Sequence, residues 1–155
     1  MARRLWLLRH GDAEPHGIHP DAERRLTDRG VDQARAAGVA LYRLGVTPQG
    51  IYTSPKVRAH DTAAAAAVAL GLAPVVHAPL ASGFGADDAL ALVAAADDEG
   101  DVLIVGHEPD FSQIVHDLTG ARIDMKKGGV ACVRLDGSRG ELIILLRPRE
   151  LRAIR

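Results

Sequence analysis

The sequence holds one cysteine, one tryptophan, two tyrosines, two phenylalanines and no long apolar run. Each scarcity removes a class of function. Cys132 alone cannot form an internal disulfide and fits a reducing compartment. Its setting, Val130-Ala131-Cys132-Val133, reads as a strand with a small buried hydrophobe rather than a reactive thiol. Aromatic residues are 3% of the chain, too few for a surface that stacks nucleobases. With 19 Lys and Arg against 20 Asp and Glu, the formal net charge of −1 exerts no global pull on nucleic acid or anionic membrane. No stretch approaches the roughly 20 apolar residues of a membrane span, and the run after Arg3 and Arg4 is too short for a signal-peptide core. The expectation is a cytoplasmic monomer without nucleic-acid or membrane partners. Phosphate-loop, dinucleotide and nucleophile-elbow patterns are also missing: Gly83-Phe84-Gly85 does not continue as a fingerprint, and Gly106-His107-Glu108-Pro109-Asp110 has no serine at its centre.

What is there reads as one domain over residues 1–155, with 47% hydrophobic and 25% charged residues. Leu5-Trp6-Leu7-Leu8 and Val102-Leu103-Ile104-Val105 are short, continuous apolar runs of the kind buried on both faces of a sheet. Gly50 to Thr53, Pro74 to His77, Val130 to Leu135 and Leu142 to Leu146 read as further strands, the last two joined by the turn residues Asp136 to Gly140. Helical spacing runs from Leu26-Thr27-Asp28, where Thr27 or Asp28 can cap, to Gly45. Ser54-Pro55 predicts the start of an alanine-rich helix that Gly71 ends, and further helices span Ala86 to Ala96 and Phe111 to Gly120. Ala13 to Arg25, broken by Pro15, Gly17 and Pro20, reads as a loop, as does Pro79 to Gly85. The alternation predicts a three-layer α/β/α fold: a mainly parallel central sheet with an antiparallel edge from the C-terminal hairpin.

In a parallel sheet the carboxyl ends of the strands share one edge, where ligands bind. Three such ends carry Arg9-His10-Gly11, Arg58 just inside the following helix, and His107. Two guanidiniums and two imidazoles on one edge, with no carboxylate in those motifs that must pair with them, call for an anion, and a phosphoryl group matches the fork of an arginine. His60, His77 and His116 sit at helix or strand positions without a partner pattern and read as ordinary satisfied or surface histidines. His16 and His19 lack a cysteine or carboxylate at a familiar ligand spacing, so neither a metal nor another cofactor is expected. Arg24 and Arg25 read as solvated arginines in preference to a pair that attracts an acidic partner, and Lys126-Lys127 as a solvated turn that can rim the pocket.

Four motifs in order, Leu8-Arg9-His10-Gly11-Asp12, Leu26-Thr27-Asp28-Arg29-Gly30, Ser54-Pro55-Lys56-Val57-Arg58-Ala59-His60-Asp61-Thr62 and Val105-Gly106-His107-Glu108-Pro109, resemble the histidine phosphatase superfamily, the phosphoglycerate mutase-like group with an Arg-His-Gly hallmark. The short chain is similar to its SixA-type branch of phosphohistidine phosphatases. The resemblance implies that His10 is a nucleophile that becomes transiently phosphorylated, that Arg9, Arg58 and a protonated His107 bind the phosphoryl oxygens, and that Gly11 lets the backbone turn beneath the phosphate. One departure stands out. Larger members use an acid after the third strand to protonate the leaving oxygen, whereas Ala78 to Gly85 contains none, with Asp12, Glu14 and Glu108 as possible substitutes. That departure leans toward a phosphohistidine-bearing protein as substrate, ahead of a phosphorylated small molecule of a phosphomonoesterase. A non-catalytic phosphate-binding module is the third reading, and the intact His10 speaks against it.

Overall fold

A computed structural model describes residues 3–96 and 100–154 of the protein. Its centre is β1 (Arg3–Arg9), whose Leu5 and Leu7 enter one apolar layer while Trp6 and Leu8 enter the other. Beside it, β4 (Asp101–Gly106) divides the same way, Val102 and Ile104 to one layer, Leu103 and Val105 to the other. A strand's side chains alternate between faces, so a continuous apolar run is what two covered faces require. Strands β1 and β4 pair in parallel. Next to β4 lies β2 (Pro48–Thr53), followed by the two-residue β3 (Val75–Val76), both parallel. On the far side of β1 the hairpin of β5 (Val130–Asp136) and β6 (Arg139–Leu146) attaches through β5, antiparallel to β1. The order is β3-β2-β4-β1-β5-β6, and the expected antiparallel edge is in place.

Helices α1 (Asp28–Arg43), α2 (Val57–Leu70) and α5 (Pro148–Ala153) cover the Trp6 face, and α3 (Ala86–Ala95) and α4 (Asp110–Thr119) cover the Leu5 face. Thr27 caps α1 by accepting from the Gly30 N–H at 3.1 Å, as its position predicts. The alanines of α2 allow an unusually close crossing: a Cβ on Gly38 of α1 would lie 2.3 Å from the Ala66 carbonyl oxygen. Gly71 and Gly120 end α2 and α4 at φ +71° and +79°, left-handed values that favour glycine.

Four local readings change. Helix α2 begins at Val57 rather than at Ser54-Pro55, because the Ser54 hydroxyl accepts from the Lys56 N–H at 3.1 Å in a turn ahead of the helix. Asp21–Glu23 and Ala78–Ala81 are single 3-10 turns inside segments read as loops. The β5–β6 connection is tighter than Asp136 to Gly140, with Asp136 and Arg139 already paired. Finally α5, which the sequence reading did not foresee, opens with Pro148 and buries Leu151.

Three parallel strands therefore deliver Arg9, Thr53 and Gly106 to one edge. Two cross-ties lock the residues that follow: the His10 N–H donates to the Gly106 carbonyl at 3.0 Å and the Ser54 N–H to the Val105 carbonyl at 3.0 Å.

Candidate active site

Just beyond that edge is a cavity of about 510 Å³ whose walls include Arg9, His10, Arg58 and His107. His10, Arg58 and His107 are 5–6% exposed, and the two imidazole centroids lie 5.3 Å apart with ring planes tilted by 53°. The four residues expected to share an edge do so.

His10 is held from within its own motif. Its Nδ1 lies 2.7 Å from the Gly11 carbonyl oxygen. A carbonyl can only accept, so Nδ1 carries the proton and Nε2 keeps its lone pair. Burial pushes the imidazole down to about 4, and the positive charges of Arg58, Arg9 and Lys127 act the same way against the raising effect of the Gly11 bond. At neutral pH it is the uncharged, nucleophilic form.

His107 is held differently. Its Nε2 lies 2.8 Å from the Ser54 hydroxyl, a group able to donate or accept, and its Nδ1 is buried with no partner among the described residues. Burial first, then the neighbouring His10, Arg58 and Lys56, push it down to about 3. Two charged imidazoles 5.3 Å apart would repel by about 3 kcal/mol at an effective dielectric of about 20. In the protein alone His107 is therefore uncharged, and the protonated form is the one expected beside a bound phosphate. A dianion in the cavity acts in the opposite direction and favours it.

The cations are positioned by backbone. Arg9 Nη1 donates to the Met125 carbonyl at 2.8 Å, and Arg58 Nη1 donates to the Asp21 carbonyl at 2.7 Å. Burial lowers the pKa of both guanidiniums, which nonetheless stay charged at neutral pH.

Asp21 corrects the expectation of a cluster without a carboxylate. Its Oδ2 lies 3.4 Å from Arg58 Nη2 and 3.3 Å from Lys56 Nζ, and its Oδ1 lies 3.5 Å from Arg24 Nε. Burial alone would raise this carboxyl, but Arg58 and Lys56 together hold it below the usual range. The loop thus brings its own anion to the cationic wall. Arg24 is buried and lines the cavity rather than standing in solvent, while Arg25 is exposed.

Gly11 has another role than the one its motif implies. It is not on the cavity wall, its N–H is spent on Thr62 Oγ1 at 3.0 Å, and a Cβ there would lie 2.5 Å from the Gly30 carbonyl oxygen. A Cβ on Gly30 would lie 2.0 Å from the Asp12 carbonyl oxygen. The two glycines let the first two motifs pack backbone to backbone. Thr62 in turn donates to the Arg58 carbonyl at 2.7 Å, tying the third motif to the first.

The candidate acids are already engaged. Asp12 lies off this cavity and accepts from Thr27 Oγ1 at 2.8 Å. Glu14 accepts from the Arg25 N–H at 2.8 Å, a bond that lowers its pKa, and from His19. Glu108 accepts from the Ser112 N–H at 2.7 Å and from its hydroxyl. Asp110, on the cavity wall, accepts from the Phe84 N–H at 3.3 Å. His19 is turned to Glu14 and His16 lies 3.9 Å from Asp21, and no three potential metal ligands gather among the described residues. Cys132 is buried, and burial pushes its thiol up to about 12.

Sequence reasoning missed Asp21, Lys56, Ser54 and Asp110. For Ser54 a signal existed, since it lies in the same motif as Arg58, but Ser-Pro reads first as a helix start.

A buried neutral imidazole framed by arginines at the end of a parallel strand has the chemistry to take up a phosphoryl group, and the chain belongs to the histidine phosphatase superfamily (branch 1), whose profile matches residues 5–85. It is a phosphatase with the SixA-type fold. An uncharacterized protein of Picosynechococcus is 32% identical, covering 95% of this chain and 98% of that one. The structure of the protein histidine phosphatase SixA complexed with tungstate superposes with a TM-score of 0.86 at 25% identity, over 96% of this chain and 99% of the other. A protein assigned as the phosphohistidine phosphatase SixA of Nakamurella multipartitia gives a TM-score of 0.80 at 29% identity, over 96% and 97% of the two chains.

Proposed function

We propose that the protein removes the phosphoryl group from phosphohistidine in a partner protein, through a phosphorylated His10. Nε2 of His10 attacks phosphorus as the P–N bond to the substrate imidazole breaks, and the electron pair leaves with the substrate nitrogen. Water then attacks phosphorus, the P–Nε2 bond breaks and inorganic phosphate leaves. Arg9, Arg58 and His107 hold the equatorial oxygens, where charge collects in transfer. This arrangement needs no metal or cofactor.

The observation that carries the choice of substrate is the state of the carboxylates around the cavity. Glu14, Glu108 and Asp110 each accept a backbone N–H, Asp21 is paired with Arg58 and Lys56, and Ala78–Ala81 offers no acid. A carboxyl oxygen bonded to a backbone N–H is committed to that donor, whereas a general acid must bring a free carboxyl within hydrogen-bond reach of the leaving oxygen. A phosphoester leaves as an alkoxide and depends on such an acid. Phosphohistidine protonated on its other ring nitrogen leaves as neutral imidazole, so the substrate brings its own proton. The small-molecule phosphomonoesterase reading would need one of those carboxylates released from its bond.

The test is turnover of a phosphohistidine peptide against serine phosphate and sugar phosphates, with wild type and His10→Ala. Release of phosphate from the P–N substrate at a kcat/KM at least a hundredfold above the esters is expected. Equal or faster hydrolysis of the esters would overturn the reading.

A further inference from the structure

A second cavity, of about 410 Å³, adjoins the first and shares Arg9 and Lys127 with it. The two differ sharply in charge. The catalytic cavity is lined by five Lys and Arg residues and four Asp and Glu residues. The adjoining groove has seven Lys and Arg among its ten lining residues and a single acid, Asp12. Arg29 comes from α1, Lys126 from the segment before β5, and Arg149 and Arg152 from α5. Arg29 and Arg152 are exposed and have no acidic partner within 4.0 Å among the described residues, while Lys126 leans on Asp124, Lys127 on Asp12, and Arg147 and Arg149 on Glu150. The protein as a whole carries a formal charge of −1. The groove is therefore a local concentration of positive charge beside the reaction centre.

We propose that this groove is the docking surface for the acidic flank of the phosphorylated partner protein, with carboxylates beside the phosphohistidine lying along Arg29, Arg149 and Arg152. The proposal rests on the reading of the substrate as protein phosphohistidine. The groove's cations come from four separate stretches of chain, β1 included, so they present a spread surface and not one anion-sized nest. Long, exposed Lys and Arg side chains suit a carboxylate-rich protein face, where charge complementarity speeds encounter and fixes orientation. Arg9 and Lys127, common to both cavities, make the two surfaces continuous, so a flank docked in the groove leaves its phosphohistidine facing His10.

Two synthetic phosphohistidine peptides test this, one with four flanking glutamates and one with glutamines in their place. Wild type is expected to hydrolyse the glutamate peptide about tenfold faster in kcat/KM, an advantage that shrinks as salt is added. In the double variant Arg29→Glu, Arg152→Glu that advantage disappears while turnover of the glutamine peptide stays within about twofold of wild type. The charge-keeping Arg29→Lys, Arg152→Lys variant retains it. Equal turnover of both peptides by wild type, a preference that survives charge reversal, or a parallel loss on both peptides would each overturn the proposal. Fluorescence anisotropy with the unphosphorylated glutamate peptide separates the two readings. If wild type hydrolyses neither peptide, tight binding lost on charge reversal upholds the groove while the substrate reading falls, and absence of that binding defeats the groove as well.

Discussion

His10 and His107 stand at the ends of neighbouring parallel strands, about equally buried and with ring centroids 5.3 Å apart, yet their second nitrogens are held by unlike groups. His10 is tied to a carbonyl, which accepts and never donates. His107 is tied to a hydroxyl, which does either. The first arrangement fixes one tautomer and keeps a lone pair available. The second leaves the protonation state free to follow what enters the cavity. One edge of one sheet thus supplies a locked imidazole and an adaptable one, and the difference lies in second partners that no strand pattern specifies.

The largest effect should come from the locked side. His10→Ala removes the proposed nucleophile, and phosphatase activity should fall by about 10⁴-fold or more. Steady-state kinetics on a well-folded sample check this, and retention of even a tenth of wild-type rate would break the distinction between the two histidines. Next come the groups proposed to hold the phosphoryl oxygens. Arg58→Ala and His107→Ala should each cost on the order of 10²–10³ in kcat. A loss confined to KM would mean that they bind the ground state alone.

Ser54→Ala probes the adaptable side more finely. Activity should drop only several-fold, but the alkaline limb of the kcat profile should move to lower pH, because a protonated His107 would lose the oxygen that accepts its Nε2–H. An unchanged profile would make Ser54 a structural residue. Stability offers the broadest readout. Both histidines have folded pKa values, about 4 and about 3, below the unfolded value of about 6.5. Between those limits the unfolded chain binds more protons, so stability should be full above pH 6.5 and fall as pH drops toward 4 and then 3, by on the order of 3 kcal/mol for His10 alone. Melting curves from pH 7 to pH 4 check the sign, and the decline should be shallower in His10→Ala.

The sheet, its parallel centre, the capped start of α1 and the glycine ends of α2 and α4 were legible in the sequence because local rules set them: apolar runs, a Thr cap, glycines at left-handed turns. The four residues of the strand edge were legible for a topological reason, since parallel strands must end together. What escaped was set by tertiary contact. Asp21 reaches Arg58 only because the segment before α1 folds back, with Ala13 bridging to Leu26 and Glu14 gripping Arg25. Nothing in Pro20-Asp21-Ala22 announces that. Arg24 was misread for the same reason, because an arginine in a polar segment is ordinarily solvated. Gly11 was placed correctly in its motif but for another cause, its partner Gly30 being nineteen positions away in sequence. In α5 the Pro148 signal was present, and its brevity hid it behind the hairpin.

The central claim is that the locked imidazole accepts the phosphoryl group. Rapid acid-free quenching of the protein with a labelled phosphohistidine peptide, followed by peptide mapping, tests it directly. The expected label is stable to alkali, lost in acid, confined to the peptide bearing His10, and absent from His10→Ala. A label on any other residue, or full turnover by His10→Ala, would contradict it.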